Sequence, residues 1–333
     1  MTTILTWIKP TSDQLHIWNY FGAVKPMIEL LKEHQWSEIF FMIASLHALT
    51  TFHDAKQLHS NIHNLAKLYI AMMRHAGLDE SKICIFDQAD VPAHGRAQWI
   101  VSCLTHMWFM ERMHAYKDAS AKWKAGQTSV GTFNYPILMA VDILLYNTTH
   151  VPVGKDQKQH LEFARDIAQK INSNLWEVFV VPEPIVREAV ASVPGLDGQK
   201  MSKSYNNFIG LLENEKTIRK KVSRIPTDAI WVNEPKDPDQ DNVYALRKLF
   251  LTPEQNIEVR NRYTQWGLSY KDAKQELWDA ILELTQWIQA HYKTVTDAEI
   301  GIMLKKNWAY ATKISNETYY KLHAAAWFSR YDQ

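Results

Sequence analysis

The sequence predicts an α/β protein: a doubly wound parallel sheet followed by a C-terminal helical domain. Three short apolar runs rich in β-forming residues, at positions 4–8, 38–44 and 82–86, are each followed by a segment with helical periodicity. Short buried strands that alternate with helices are typical of a parallel sheet covered on both faces. After about residue 205 only helical patterns continue. We therefore expect a sheet domain at residues 1–205 and a helical domain at 206–333.

Helical periodicity and proline positions predict the remaining elements. In the first domain the predicted helices are 18–34, 55–76, 95–113, 135–146 and 155–171. Pro136 is expected to open the fourth of these helices, and a strand end at 151–154 leads into the fifth. A last strand is predicted at 177–181, ended by Pro182 and Pro184. The predicted helices of the second domain are 213–224, 243–250, 253–263, 270–291 and 297–324.

The composition is ordinary for a soluble globular protein, with 46% hydrophobic and 22% charged residues. No run of about 18 apolar residues occurs, so we predict no membrane-spanning helix. The first residues lack the pattern of a signal peptide. Cys84 and Cys103 have no paired spacing, so we expect neither a disulfide framework nor a zinc site, and a cytoplasmic location. A net charge of +1 does not by itself indicate a nucleic-acid-binding protein.

The segment Lys200-Met201-Ser202-Lys203-Ser204 combines two lysines with two hydroxyl side chains. Lysine acts as a mobile point charge on phosphate oxygens, so this pattern suits the binding and release of a triphosphate. A solvated surface loop is the alternative, since short segments rich in lysine and serine are common.

A second candidate site follows the first predicted strand. A polar loop begins at Lys9, and a helix is expected to begin near Trp18 or Asn19. In an open α/β sheet, ligands bind beyond the carboxyl ends of the strands, and a helix N-terminus offers free amides to phosphate. His16 lies in this loop, although a lone histidine is more often structural than catalytic.

Together, the two stretches resemble the signature pair of the class I aminoacyl-tRNA synthetases. The Lys-Met-Ser-Lys-Ser pentapeptide is intact at 200–204, and His16-Ile17-Trp18-Asn19 is similar to the His-x-Gly-Asn variant of the tryptophan enzymes. The blocks at 135–146 and 151–160 also resemble the tryptophanyl-tRNA synthetase family, as do Val91-Pro-Ala-His94 and Met110-Glu-Arg-Met113. The resemblance covers essentially the whole chain. It implies a Rossmann-like catalytic domain at 1–205 and a helical tRNA- and anticodon-binding domain at 206–333.

The resemblance implies that the protein joins L-tryptophan to tRNA(Trp) through a tryptophanyl-adenylate made from ATP. It also implies Mg²⁺ bound with ATP, with no dedicated protein ligands, and a homodimer. Two alternatives stay open: a tyrosyl-tRNA synthetase of the same fold, and a catalytically impaired relative that binds tryptophan or RNA. The run from Asp142 to Tyr146 followed by Gly154-Lys155-Asp156-Gln157 favours tryptophan over tyrosine.

The resemblance also assigns roles to individual residues. The implied catalytic residues are His16, Asn19, Lys200 and Lys203. Asp142 is expected to accept the indole N–H, in a tryptophan site completed by Met139, Tyr135, Val151 and Val153. The implied ATP-binding residues are Lys9, Pro10, Thr11, Trp18, Asn19, Gly154, Lys155, Asp156, Val193, Lys200, Met201, Ser202, Lys203 and Ser204.

Two further patterns carry weaker indications. Residues 216–224 hold five cations, which fits either a solvated helix face or a contact with the tRNA backbone. His59 and His63 have the spacing of metal ligands on a helix, but solvated side chains are the simpler interpretation. No metal site is predicted.

Tryptophan stands at several positions where the family has glycine. Trp7 and Trp18 are the clearest cases, and Trp108, Trp176, Trp266, Trp308 and Trp327 are further candidates. Tryptophans (13) outnumber glycines (11), although glycine usually supplies about 7% of residues. One hypothesis is that UGA codons meaning glycine were translated as tryptophan, and the alternative is true divergence. A tryptophan at position 18 is expected to project toward Lys9 and Gly154, where ATP should bind.

Overall fold

The computed structural model describes residues 2–12, 15–33, 36, 38–113, 129–154, 157–186, 195–199, 207–265 and 267–327. At its centre is a five-stranded sheet with the order β3-β2-β1-β4-β5, in which every pairing is parallel. The strands are β1 Thr3–Ile8, β2 Glu38–Ile43, β3 Ile83–Asp87, β4 His150–Val153 and β5 Glu183–Val186. The predicted doubly wound parallel sheet is confirmed, with the strand order reversing at β1.

The last strand differs from the sequence prediction. The apolar segment 177–181 is not a strand, because the Asn172 side chain takes over its backbone groups. Its amide oxygen accepts from the N–H groups of Val178 and Phe179, both at 2.9 Å, and its NH₂ donates to the Phe179 carbonyl at 2.7 Å. The strand instead includes Pro184, paired with Val151 of β4. Proline is tolerated there because β5 is the last strand of the sheet that the described residues form, and its outer side has no ladder partner among them.

The helices surround the sheet and continue after it. The first seven are α1 Ile17–Asn19, α2 Lys25–Glu33, α3 Ser45–Ala48, α4 Ala55–Ala76, α5 Ala93–Leu104, α6 Met107–Glu111 and α7 Val130–Leu144. The others are α8 Lys158–Asn174, α9 Glu215–Ser223, α10 Asn242–Arg247, α11 Pro253–Thr264, α12 Tyr270–Thr294 and α13 Asp297–Trp327. A π-helical turn, Tyr20–Val24, joins α1 to α2.

Local capping explains which helix predictions were right. The helix predicted at 55–76 is confirmed, since Asp54 caps its start and Gly77, at a φ of +66°, ends it. The helix predicted at 95–113 is broken into α5 and α6. The helix that Pro136 was expected to open begins six residues earlier at Val130, where Ser129 accepts from the Thr132 N–H at 3.2 Å.

Two apolar clusters lie on the two faces of the sheet. The first contains Ile4 and Phe41 of the sheet together with Leu277 of α12. The second contains Leu5 and Phe40 together with residues of α7 and α13. Each cluster thus includes residues from both sides of the predicted domain boundary at position 205. The assignment of residues 206–333 to tRNA binding stays a prediction. None of the described helices is long and apolar enough to cross a membrane.

Candidate active site

The crevice predicted beyond the strands lies where the sheet order reverses, between β1 and β4. Lys9 and Pro10 follow directly on β1, and Gly154 follows directly on β4. Since β1 and β4 are parallel neighbours, these residues leave the same edge of the sheet. The buried Asn61 of α4 fixes one wall of the crevice by donating to the Pro10 carbonyl at 2.9 Å. Thr11, the next predicted ATP residue, is exposed.

Lys9 extends from this edge toward α7. Its Nζ lies 5.5 Å from the centroid of the Tyr135 ring. Tyr135 in turn shares a hydrogen bond of 3.1 Å between its hydroxyl and Nε2 of His160. Burial lowers the pKa of the Lys9 ammonium. A residue assigned to ATP and one assigned to tryptophan therefore lie in contact.

One face of α7 carries the residues that the resemblance assigns to tryptophan. Tyr135, Met139 and Asp142 are spaced four and three residues apart, so they share a face of the helix, and Tyr146 follows four residues later. Met139 belongs to the same apolar cluster as Val151 and Val153, which point to one side of β4 because they are two residues apart. The predicted tryptophan residues are thus brought together.

Asp142 is 1% exposed, and its carboxylate is surrounded by hydrogen-bond donors. His47 Nε2 lies 2.8 Å from Oδ2, and His94 Nδ1 lies 2.6 Å from Oδ1. The Gln88 amide donates to both oxygens at 2.8 Å. A carboxylate only accepts, so both histidines present N–H groups to it. The other His94 nitrogen, Nε2, shares a hydrogen bond of 2.8 Å with the Tyr146 hydroxyl.

These contacts keep Asp142 ionised although it is buried. Burial alone would raise its pKa, but hydrogen bonds and charge interactions with His47 and His94 outweigh that effect and hold the pKa at about 2. A charged acceptor is therefore maintained inside an apolar wall at neutral pH. Such a group can recognise an N–H or O–H donor on a ligand and disfavours a ligand without one.

Sequence reasoning assigned no role to His47, Gln88 or Asn61, and it noted His94 only as part of a family motif. His47 and Gln88 follow the carboxyl ends of β2 and β3, which is the edge where ligand-binding side chains collect in a parallel sheet. Their position after the predicted strands was therefore a sequence signal that could have identified both residues. Gln88 is itself held in place, because its Oε1 accepts from the Leu46 N–H at 3.1 Å.

His16 and Asn19 form a reciprocal cap at the start of α1. His16 Nδ1 accepts from the Asn19 N–H at 3.4 Å, and Asn19 Oδ1 accepts from the His16 N–H at 3.1 Å. His16 is buried, and its ring lies 5.6 Å from that of Phe208. These two of the four residues predicted to be catalytic therefore fix the direction of the helix that follows the crevice, while their catalytic role stays a prediction.

The segment around His16 pairs with the chain that follows the lysine-rich motif. Ile17 N–H donates to the Ile209 carbonyl at 3.0 Å, and Leu211 N–H donates to the Leu15 carbonyl at 2.9 Å. The Leu196 N–H donates to the Asn207 carbonyl at 2.9 Å, which joins the two chain segments that flank 200–206. The structure therefore anchors both sides of the motif beside α1.

Several predicted ATP residues lie outside the described part of the chain, so their roles stay predictions. They are Lys155, Asp156, Val193, Lys200, Met201, Ser202, Lys203 and Ser204.

Trp18 extends along its own helix toward Gly22. A Cβ on Gly22 would lie 2.5 Å from both Cδ1 and Nε1 of the Trp18 indole, so the indole occupies the space beside that glycine. The expected projection toward Lys9 and Gly154 stays a prediction. Trp7 packs against the cluster that contains Met139, on the face of the sheet where the tryptophan residues gather.

His63, one of the two histidines with the spacing of metal ligands, lies close to a carboxylate. His63 Nε2 lies 3.6 Å from a carboxylate oxygen of Asp297, at the protein surface. Within the residues that the structure describes, no group of three His, Cys, Asp or Glu side chains is arranged to hold a metal ion.

Comparison with known proteins points in one direction. Residues 1–286 match the family described as tRNA synthetases class I (W and Y). The tryptophan--tRNA ligase of Campylobacter jejuni strain RM1221 is 41% identical over 290 residues, which cover 87% of this chain and 86% of the relative. That of Fusobacterium nucleatum is 40% identical over 318 residues, covering 95% and 92%. A crystal structure of the C. jejuni tryptophanyl-tRNA synthetase with ADP and tryptophan is similar with a TM-score of 0.84 and 38% identity, covering 97% of this chain and 98% of that one.

Proposed function

The chain belongs to the class I tRNA synthetases of the tryptophan and tyrosine group, and we propose that it uses ATP to join L-tryptophan to tRNA(Trp). The observation that carries the choice of tryptophan is the buried, ionised Asp142 on the wall shared with Met139 and Val151. Relatives of about 40% identity over most of the chain are tryptophan--tRNA ligases, which supports the same choice over tyrosine.

Asp142 recognises the indole N–H of the substrate in this proposal. Its two oxygens offer about four lone-pair positions, and four contacts from His47, His94 and Gln88 already surround them. Gln88 donates to both oxygens from one amide nitrogen. It can therefore release one oxygen to the indole N–H and keep its hydrogen bond to the other, which makes it the donor that is displaced at the smallest cost in free energy. Phenylalanine cannot replace that donor, and its binding would leave the released acceptor position unpaired.

With tryptophan held at Asp142, the next step of the proposed reaction is formation of the adenylate. A tryptophan carboxylate oxygen attacks the α-phosphorus of ATP, the new P–O bond forms, and the bond to the leaving pyrophosphate breaks. Positioning and charge stabilisation supply most of the catalysis in such transfers. Mg²⁺ bound with ATP would supply further positive charge to offset that of the triphosphate. The terminal ribose hydroxyl of the tRNA then attacks the carbonyl carbon, and AMP leaves.

The roles proposed for Lys9 and His16 follow from their surroundings. Lys9 follows β1 at the edge of the crevice and lies over the Tyr135 ring, so its ammonium is placed to bind a phosphate near the tryptophan residues. His16 lies at the start of α1, where its Nδ1 accepts from the Asn19 N–H, and we propose that it helps to position the phosphates. Lys200 and Lys203 complete the cationic site and stabilise the departing pyrophosphate.

The proposed enzyme acts in the cytoplasm as a homodimer, with residues 206–333 contributing the tRNA-binding helices. Four exposed large apolar side chains on α5, α6 and the start of α7 support contact with a second copy: Trp99, Met107, Trp108 and Val130. Light scattering of the purified chain tests the dimer, and a monomer at micromolar concentration would contradict it.

Charging of tRNA(Trp) with labelled tryptophan tests the proposed function as a whole. We expect acid-precipitable label that requires ATP, the tRNA and tryptophan together. Charging of tRNA(Tyr) with tyrosine at a comparable rate would contradict the assignment.

A further inference from the structure

We propose that the groove between α9 and α12 binds the phosphate backbone of tRNA. This basic groove encloses about 390 Å³ and is lined by Arg219, Tyr270, Lys271, Lys274 and Trp278, among others. The proposal rests on the tRNA-charging function above, and it names a surface outside the crevice for the nucleic-acid substrate.

The charges of α12 are separated onto two sides of the helix. Lys271, Lys274 and Trp278 are spaced three and four residues apart, so they form one stripe. The acidic side chains form a second stripe at steps of four, three and four residues: Asp272, Glu276, Asp279 and Glu283. None of these four acidic residues lines the groove, and three of them, Glu276, Asp279 and Glu283, line a different cavity beside Trp287. A segregated positive face on a chain of net charge +1 is a local feature suited to a polyanion.

The facing helix α9 adds Arg219 to the lining of the groove and carries further cations beside it. Ile218 and Val222 are buried and anchor the helix, which leaves Lys216, Arg219 and Lys220 exposed. These three residues are related by steps of three and four and therefore share one face. Several cations spread over two helices match the repeated charges of a nucleic-acid backbone.

Direct contacts hold the two helices in this arrangement. Lys274 Nζ donates to the Ser223 carbonyl at 3.0 Å, which ties α12 to the end of α9. The Arg219 guanidinium lies 4.8 Å from the centroid of the Trp278 ring, a distance that fits a cation–π contact. The guanidinium is thereby held at the edge of the groove, which limits the conformational entropy lost when it binds a phosphate.

The basic groove is also connected to the crevice through α9. Lys221 of this helix donates to the Phe208 carbonyl at 2.8 Å, and its Nζ lies 4.7 Å from the Phe208 ring. The Phe208 ring in turn contacts His16, and Gly210 forms a bridge with His16. A backbone bound along α9 therefore lies on the element that is fastened beside the proposed site of adenylate formation. That position suits a substrate whose 3′ end must reach the adenylate.

A charge-matched pair of triple variants tests the proposal. The groove variant is Arg219→Gln, Lys220→Gln and Lys271→Gln, and the control is Lys32→Gln, Lys56→Gln and Lys82→Gln, three exposed lysines outside residues 206–333. Both lose three positive charges on helical surfaces. The dissociation constant of an unmodified tRNA(Trp) transcript is measured by filter binding over a series of KCl concentrations, and tryptophan-dependent pyrophosphate exchange is measured in parallel.

We expect the groove variant to bind tRNA about tenfold or more weakly. The slope of its logarithmic salt dependence should fall by about 2, since each lost phosphate contact removes about 0.7. Its pyrophosphate exchange should equal that of the wild type, and the control should match the wild type throughout. Unchanged tRNA affinity in the groove variant, or an equal loss in the control, overturns the proposal. A wild-type chain without pyrophosphate exchange, but with groove-dependent tRNA binding, would instead refute the proposed ligase activity and leave the RNA site standing.

Discussion

Replacing Asp142 by asparagine removes the charge at the centre of the buried network while keeping its shape. The carboxamide offers one oxygen where the carboxylate offers two, and an NH₂ group in the place of Oδ2 meets donors from His47 and Gln88. His47 can answer by changing its tautomer, but the Gln88 amide then has no acceptor on that side. A buried donor is left unpaired in the variant.

The size of the effect follows from the pKa of the carboxyl group. A fall from 3.8 to about 2 corresponds to about 2 kcal/mol in favour of the ionised form. An unpaired buried donor adds about 1 kcal/mol or more. We therefore expect Asp142→Asn to lower the free energy of unfolding by about 3 kcal/mol at pH 7.

The pH dependence of the difference has a definite sign. Because the pKa of Asp142 is lower in the folded protein, the ionised group contributes its full stability above the unfolded pKa near 3.8. That contribution is lost as the pH falls through about 2. The gap between wild type and variant should therefore be constant above about pH 5 and narrow by about 2 kcal/mol toward pH 2.

Urea unfolding of both proteins at several pH values measures this gap. Asp239→Asn serves as the control, since Asp239 pairs with Arg260 at the exposed surface, where solvent screens the charges and the pair should contribute little. A gap at Asp142 that is below 1 kcal/mol at pH 7, or that does not narrow in acid, would refute the account of the network. Loss of the tryptophan contact should also lower kcat/KM in pyrophosphate exchange by about 30-fold to 1000-fold, equivalent to about 2–4 kcal/mol.

Three further predictions concern the lysine-rich motif and the tryptophans. Lys203→Ala should lower kcat for adenylate formation more than it raises the KM for ATP, because the charge is needed most as pyrophosphate leaves; a change in KM alone would contradict this. Trp7→Gly with Trp18→Gly should raise the rate of pyrophosphate exchange, and UGG codons at both positions would exclude recoding as the origin of these tryptophans. Gly22→Ala should destabilise the chain by about 1–3 kcal/mol, since its Cβ would lie 2.5 Å from the Trp18 indole, but not in a Trp18→Gly background. A Gly22→Ala stability cost that is equal in both backgrounds would show that the cost does not come from contact with the Trp18 indole.

Local signals were sufficient for much of the fold. The segments predicted as the first three strands lie within a residue of β1, β2 and β3, because short apolar runs between turn residues have few alternatives in an α/β chain. Strand β5 could not be predicted in the same way. The side chain of Asn172 binds the backbone of the segment that looks most like a strand, and nothing local at 177–181 indicates it.

For the site, too, the residues in a local motif could be predicted, whereas the partners brought in by distant segments could not. The resemblance identified Asp142 and the residues on the same face of α7, since that motif is continuous in sequence. The partners that keep Asp142 charged come from α3, from the turn after β3 and from α5, and only the fold brings His47, Gln88 and His94 to one carboxylate. Conversely, the cap between His16 and Asn19 is local, but its role in orienting α1 emerged only from the hydrogen bonds.

The central claim is that this crevice activates tryptophan and no other aromatic amino acid. Exchange of labelled pyrophosphate into ATP, with tryptophan, tyrosine or phenylalanine as the amino acid, tests it most directly because the reaction needs no tRNA. The account predicts exchange that depends on tryptophan and falls to background with phenylalanine or tyrosine. Exchange that is equally fast with tyrosine, or absent with tryptophan from a folded chain, would contradict it.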